Sequence, residues 1–157
     1  MKSIQSIVTL FLFQLTLIPN GFSQETLKTG PKAGSRTYAQ NFKDMVLAEC
    51  LVKAFPKNPI YTRDIASSYH ALIEWTYFDL EKAPIETTKL VEKYLALDYS
   101  NLFADTESPG IEWNFFKCLD LYHSNDLEEM TKKFVIHPNK TFREENTLLD
   151  EAKKQNP

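Results

Sequence analysis

Glycine is scarce in this chain, with four residues in 157. Alternation of apolar and polar residues never persists, and no hairpin signal follows residue 23, so a β-sheet domain is excluded. Basic residues give no excess: 18 Lys and Arg stand against 21 Asp and Glu. A nucleic-acid binder needs a basic face, and adhesion to anionic lipid needs clustered cations; neither is here. Cysteine is limited to Cys50 and Cys118, and histidine to His70, His123 and His137. HExxH, GxSxG, SxxK and glycine-rich phosphate loops are all missing, which removes the common hydrolase and nucleotide-binding signatures. The one long apolar run, Ile7 to Ile18, is about 12 residues, short of the roughly 20 needed to span a bilayer.

That run follows Lys2 and is broken by Pro19 and Asn20. Gly21-Phe22-Ser23 then places small residues at the −3 and −1 positions of a cleavage site. The layout is that of a secretory signal peptide over residues 1–23, with a retained anchor as the alternative. Export to an oxidising compartment is the expectation. Removal of residues 1–23 takes away Lys2 and leaves 17 basic against 21 acidic side chains, a charge of about −4. The rest is long enough for one domain with a real core. An oxidising compartment favours a Cys50–Cys118 disulfide; two free buried thiols are the alternative.

Residues 24–37 are polar, carry Gly30, Pro31 and Gly34, and read as a flexible leader. A helix is expected from Tyr38 to Phe55, with Phe42, Met45, Val46, Cys50 and Leu51 at spacings of three and four. Pro56 ends it. Asn58-Pro59 reads as an N-cap and first helical position, opening a helix to about Phe78. Pro84 starts a third, to about Tyr99. A polar loop follows, with Leu102 and Phe103 at its base and Asp105, Glu107, Ser108, Pro109 and Gly110 at its tip. Ile111 to His123 reads as a fourth helix with Phe115, Cys118, Leu119 and Tyr122 inward. Asn125 and Glu128 suggest a capping box for a fifth, burying Leu127, Met130 and Phe134. The expectation is an all-α, compact single-domain bundle of about five helices with one disulfide, over residues 38–143. A polar C-terminal tail follows over 144–157.

Reactive chemistry finds little support. His70 and Glu74 share a helix face at i, i+4, but two ligands do not make a zinc site; a surface pair is the plainer reading. His123 and His137 stand at helix ends, where a cation favours the dipole. Glu128-Glu129 and Glu144-Glu145 are adjacent and point apart. No catalytic residue, metal or cofactor is assigned, and the chain reads as no enzyme. Trp75 and Trp113 fall off the inward stripes, and exposed aromatics are common binding anchors.

Five segments carry a resemblance: Asp44-Met45-Val46-Leu47-Ala48-Glu49-Cys50, Ala71-Leu72-Ile73-Glu74-Trp75, Val91-Glu92-Lys93-Tyr94-Leu95, Lys117-Cys118-Leu119-Asp120-Leu121-Tyr122-His123-Ser124 and His137-Pro138-Asn139-Lys140-Thr141-Phe142-Arg143. With these the chain resembles the type VI secretion amidase immunity family, in the all-helical branch paired with the fourth class of amidase effectors. The resemblance implies a periplasmic protein that binds and inhibits a cognate peptidoglycan amidase, a papain-like cysteine enzyme. It further implies a homodimer flanked by two effectors, a heterotetramer, and a protruding loop that enters the effector's active-site groove. On this chain the loop falls on Asn101, Leu102, Phe103, Asp105, Glu107, Ser108, Pro109 and Gly110. Glu74, Trp75 and Phe78 are the candidate second interface. Two other classes stay open from the residues: a periplasmic carrier of a small molecule or lipid among the aromatics, and a metal-dependent hydrolase using His70 and Glu74.

Overall fold

A computed structural model describes residues 30–99 and 109–147. The chain divides after Gly30 into two units, and every helix described here belongs to the unit that begins at Pro31. The expected signal peptide, residues 1–23, lies outside the described residues, as do 100–108 and 148–157. A 3-10 turn, Lys32–Ser35, precedes five α-helices: α1 (Tyr38–Ala54), α2 (Pro59–Glu74), α3 (Ala83–Leu95), α4 (Asn114–Tyr122) and α5 (Asn125–Phe134). Residues 142–147 are helical too. Extended pairing among the described residues is limited to two isolated bridges, Thr37–Thr141 and Phe78–Val135. The architecture is all-α, as the periodicity requires.

The first helix is the axis of the bundle. It packs against α2, α3, α4 and α5, and Tyr38, Asn41, Phe42, Met45, Val46, Ala48 and Cys50 are all buried. So wide a buried arc explains why its apolar residues do not fall on one narrow stripe. Its N-terminus carries a capping box: Gln40 N–H donates to Thr37 Oγ1 at 3.2 Å, and Thr37 N–H to Gln40 Oε1 at 3.0 Å, worth about 1 kcal/mol. Two further first-turn donors are met from far along the chain. Tyr38 N–H donates to Lys140 O at 2.8 Å and Ala39 N–H to Pro138 O at 3.0 Å, so the turn after α5 closes the start of α1.

Asn58 Oδ1 accepts from Tyr61 N–H, and Pro59 takes the first position of α2. The helix ends at Glu74, earlier than expected, because residues 77–79 pair in extended form with 134–136. Ile136 N–H donates to Tyr77 O at 2.9 Å and Asp79 N–H to Phe134 O at 3.0 Å. Asp79 Oδ1 then accepts from Glu81 and Lys82 N–H and turns the chain into α3. Ser124, rather than Asn125, caps α5, its Oγ accepting from Leu127 N–H. The expected leader also shortens: Ala33 is buried and its carbonyl accepts from Asn41 Nδ2 at 3.0 Å, which ties the 3-10 turn to the body.

The core is one cluster built on Tyr38, Phe42, Val46, Val91, Leu121 and Leu127, with the Phe42 and Phe78 rings edge-on at 5.5 Å. Cys50 and Cys118 are disulfide-bonded, with a Cα–Cα distance of 5.7 Å. Beyond the fifth helix, residues 142–147 begin with a second reciprocal cap between Thr141 and Glu144. Glu145 then accepts from the buried Tyr38 hydroxyl at 2.8 Å.

Candidate partner-binding pole

Helices α1 and α3 run in the same sense: Glu49 on α1 accepts from the Thr88 hydroxyl on α3, and Lys53 pairs with Glu92 at 2.9 Å. Both therefore end at one pole of the bundle. There α2 begins, and there α4 begins, since Cys118 bonds Cys50 and Tyr122 OH reaches Asp44 Oδ1 at 3.1 Å nearer the start of α1. The described chain breaks off after Tyr99, past the end of α3, and resumes at Pro109, ahead of α4.

The pole is unusually apolar. Eleven large hydrophobic side chains are exposed among the described residues; four of them, Phe55, Ile111, Phe115 and Phe116, gather here around one cleft, and Ile60, Tyr61 and Leu97 lie close in sequence to the helix ends at this pole. A monomer scatters such residues singly; a cluster marks an interaction surface. Between them lies a cleft of about 450 Å³ lined by Ala54, Phe55 and Gly110 to Phe116. It shares Ala54, Phe55, Glu112 and Asn114 with a neighbouring groove of about 740 Å³ whose other walls include Lys53, Lys57, Asn58 and Leu95. Apolar rings at the mouth thus give way to a rim with both charge signs.

The return of the chain into α4 is conformationally demanding. Gly110 has φ 80°, and a Cβ built there would meet nothing, so it is the dihedral and not space that suits glycine. Trp113 has φ 54°, left-handed for a bulky residue, and its buried indole N–H has no hydrogen-bond partner. Strain of this kind concentrates at functional segments. It also delays the helix: α4 starts at Asn114, where Ile111 was expected.

The buried face of α4 differs from the expected one. Lys117, Cys118 and Leu121 point inward, whereas Phe115 and Phe116 are about half exposed, at 51% and 52%. Spacing alone places Phe115 one turn before Cys118 and hence inside. But α1 ends at Ala54, four residues past Cys50, so among the described residues the turn of α4 that holds Phe115 meets only the end of α1 across an open cleft.

Of the expected loop residues, Asn101, Leu102, Phe103, Asp105, Glu107 and Ser108 lie outside the described residues. Pro109 and Gly110 are exposed, and Gly110 lines the cleft. The three residues of the candidate second interface differ in exposure. Glu74 is exposed at the end of α2, and Trp75 is half-buried with its carbonyl accepting from Asn41 Nδ2 at 3.1 Å. Phe78 is 6% exposed and packs on Phe42, which makes it a core residue and not a contact residue. Sequence reasoning missed Phe55, Ile111 and Phe116 as surface groups.

His70 is exposed and edge-on to Tyr69. His123 closes α4 against Tyr122, and His137 Nδ1 lies 3.2 Å from Glu145 Oε1. No three His, Cys, Asp or Glu gather into a metal-binding group among the described residues. Both cysteines are bonded, so the chain offers no thiolate.

The family model of the type VI secretion system (T6SS) amidase immunity proteins, Tai4, matches residues 40–131. This chain belongs to that family. It is an immunity protein directed against a type VI secreted amidase. No curated protein sequence matches it significantly. Two solved structures share its fold. One comes from work on new type VI-secreted toxins and self-resistance proteins in Serratia marcescens, with 23% identity and TM-score 0.67, covering 76% of this chain and 94% of that one. The other is from the Tae4/Tai4 effector–immunity system of Salmonella typhimurium, with 22% identity and TM-score 0.57, covering 67% of this chain and 96% of that one. The Tai4 match runs from the first turn of α1 into α5.

Proposed function

We propose that this Tai4-family chain acts in the periplasm, has no chemistry of its own, and inhibits its cognate amidase by placing the segment from Asn101 to Gly110 in the enzyme's active-site groove. The observation that carries this reading is the apolar cleft: the exposed Phe55, Ile111, Phe115 and Phe116 line it together with Gly110, the described end of that segment. Phe55, Ile111, Phe115 and Phe116 stand with Gly110 around the cleft and supply the desolvated contact that anchors an interface. Asp105 and Glu107 favour encounter with a basic groove. A helix bonded to α1 by a disulfide carries the segment, so less freedom is lost on docking. The chain works as a homodimer with one effector on each subunit.

The test mixes mature chain, from Gln24 onward, with the amidase encoded beside it. Stoichiometric loss of peptidoglycan cleavage is expected, with a 2:2 complex by light scattering. Absence of both binding and inhibition at micromolar concentration would refute the reading. A 1:1 complex that still inhibits would remove the dimer alone.

A further inference from the structure

Lys117 is buried, at 6% exposure. Lysine is almost never found so deep without partners, because its ammonium loses hydration there. Its Nζ donates to Leu95 O at 3.1 Å. Leu95 is the last residue of α3, where carbonyls lack intrahelical donors and the helix dipole is negative. The same Nζ lies 5.9 Å from the centroid of the Tyr99 ring, within cation–π range. One turn further along α4, the Asp120 carboxylate accepts from the Tyr99 hydroxyl.

Lys117 and Asp120 are three apart on one face of α4 and so are neighbours. Between them they hold both ends of the stretch from Leu95 to Tyr99. Tyr99 is the last described residue before 100–108. On the far side the chain returns at Pro109 and runs through Gly110 and Trp113 directly into α4. The exit and the return of the segment are therefore fixed to the same nine-residue helix, and Cys118, next to Lys117, bonds that helix to α1.

We propose that Lys117 and Asp120 are positioning residues for amidase recognition, setting the point and direction from which the segment after Tyr99 is presented. The proposal rests on the reading that this segment engages the enzyme. Neither residue needs to touch the amidase. Lys117 holds the end of α3, Asp120 holds the Tyr99 ring in place, and the ring in turn covers the lysine. Release of either tether frees the exit, so that docking must order it again.

The test compares Lys117→Met, Lys117→Arg, Tyr99→Phe, Asp120→Ala and the triple variant Phe103→Ala/Asp105→Ala/Glu107→Ala for amidase inhibition and for melting temperature. Val135→Ala, a core variant at the opposite pole, serves as the stability control. Tyr99→Phe and Asp120→Ala act at half-buried and exposed positions, so they report even where Lys117→Met fails to fold. We expect the inhibition constant to rise about tenfold in Tyr99→Phe, Asp120→Ala and Lys117→Met, the scale of re-ordering one or two side chains on binding. Lys117→Arg, which can still donate to Leu95 O, should recover most of the loss. Val135→Ala should melt earlier yet inhibit like the wild type. If the triple variant loses inhibition while Tyr99→Phe, Asp120→Ala and Lys117→Met inhibit normally, the positioning role is wrong and the segment's role stands. If inhibition falls only in proportion to melting temperature, Val135→Ala included, the tether is merely structural. If the wild-type chain does not inhibit at all, the functional reading falls and the positioning role with it.

Discussion

Cys50 and Cys118 are bonded across the α1–α4 contact, and each stands four residues from the helix end that opens onto the apolar cleft: Ala54 lies beyond Cys50, and Asn114 lies before Cys118. The bridge joins the two walls of the cleft. It also closes a loop of 68 residues, for which chain entropy gives on the order of 4 kcal/mol. Urea unfolding with and without reductant should show a stability loss of a few kcal/mol, and Cys118→Ser should match the reduced wild type. Identical midpoints in oxidised and reduced protein would contradict this. Inhibition should fall in the reduced protein as well, because the cleft walls are then held by packing alone.

The orientation of α4 separates two kinds of apolar residue that look alike in sequence. Leu121 is fully buried, and Leu121→Ala should destabilise by about 2–5 kcal/mol. Phe115 is half exposed, and Phe115→Ala should cost about 0.5 kcal/mol or less. The contrast reverses for binding. Phe115→Ala and Phe116→Ala should each weaken the amidase complex, by about 1 kcal/mol or more if they are anchors. A Phe115→Ala variant that unfolds early and binds normally would restore Phe115 to the core.

Residues past Arg143 bear on stability although they are charged. Glu144 closes a cap with Thr141, and its carboxyl is held below the usual range by the hydrogen bond from the Thr141 backbone. Glu145 accepts from the Tyr38 hydroxyl. A chain ending at Arg143 leaves that hydroxyl without its acceptor at a buried position, which costs about 1–3 kcal/mol. Thermal melts of the truncated and full chains should differ accordingly, and Glu145→Gln, which keeps an acceptor, should recover most of the difference. Equal melting temperatures would make the segment dispensable.

What the sequence makes legible here is whatever depends on neighbours in the chain. Proline at 56 and 59, the Asn58 cap and the three-four spacing around Cys50 place α1 and the start of α2 closely. The elements that depend on distant partners are less readable. The end of α2 at Glu74 is set by pairing of 77–79 with 134–136, which no local signal announces. Phe78 looks like surface at the tail of a helix and is instead pinned against Phe42 by that pairing. Phe115 fits the stripe of Cys118, yet α1 stops short of it. The burial of Lys117 depends on the end of α3, whose Leu95 carbonyl accepts from its ammonium. The apolar pole escaped for the same reason: its members come from three separate stretches of chain.

Alkaline pH offers the last test, and its sign follows from the tyrosines. Burial pushes the Tyr38 phenol up, with the Glu145 carboxylate adding to it. Burial likewise raises Tyr69 and Tyr122, helped by Glu49 and Asp44. The hydrogen bond to Asp120 pushes Tyr99 up to about 12. An unfolded tyrosine titrates near pH 10. Above about that pH the unfolded chain releases protons that the folded chain keeps, so unfolding is favoured as pH rises. Lys93, raised by its hydrogen bond to Asp126, acts in the same direction, since its extra stability is present below the unfolded lysine value and lost above it. Urea midpoints should therefore hold steady up to about pH 9 and fall between about pH 10 and 12. Phenolate absorbance should show Tyr38, Tyr69, Tyr99 and Tyr122 titrating late in the folded protein. Tyr99→Phe should remove one of them and flatten the fall in stability toward pH 12. Seven tyrosines titrating together near pH 10 in the folded chain, with no late group, would show that neither the Glu145 nor the Asp120 contact forms in solution.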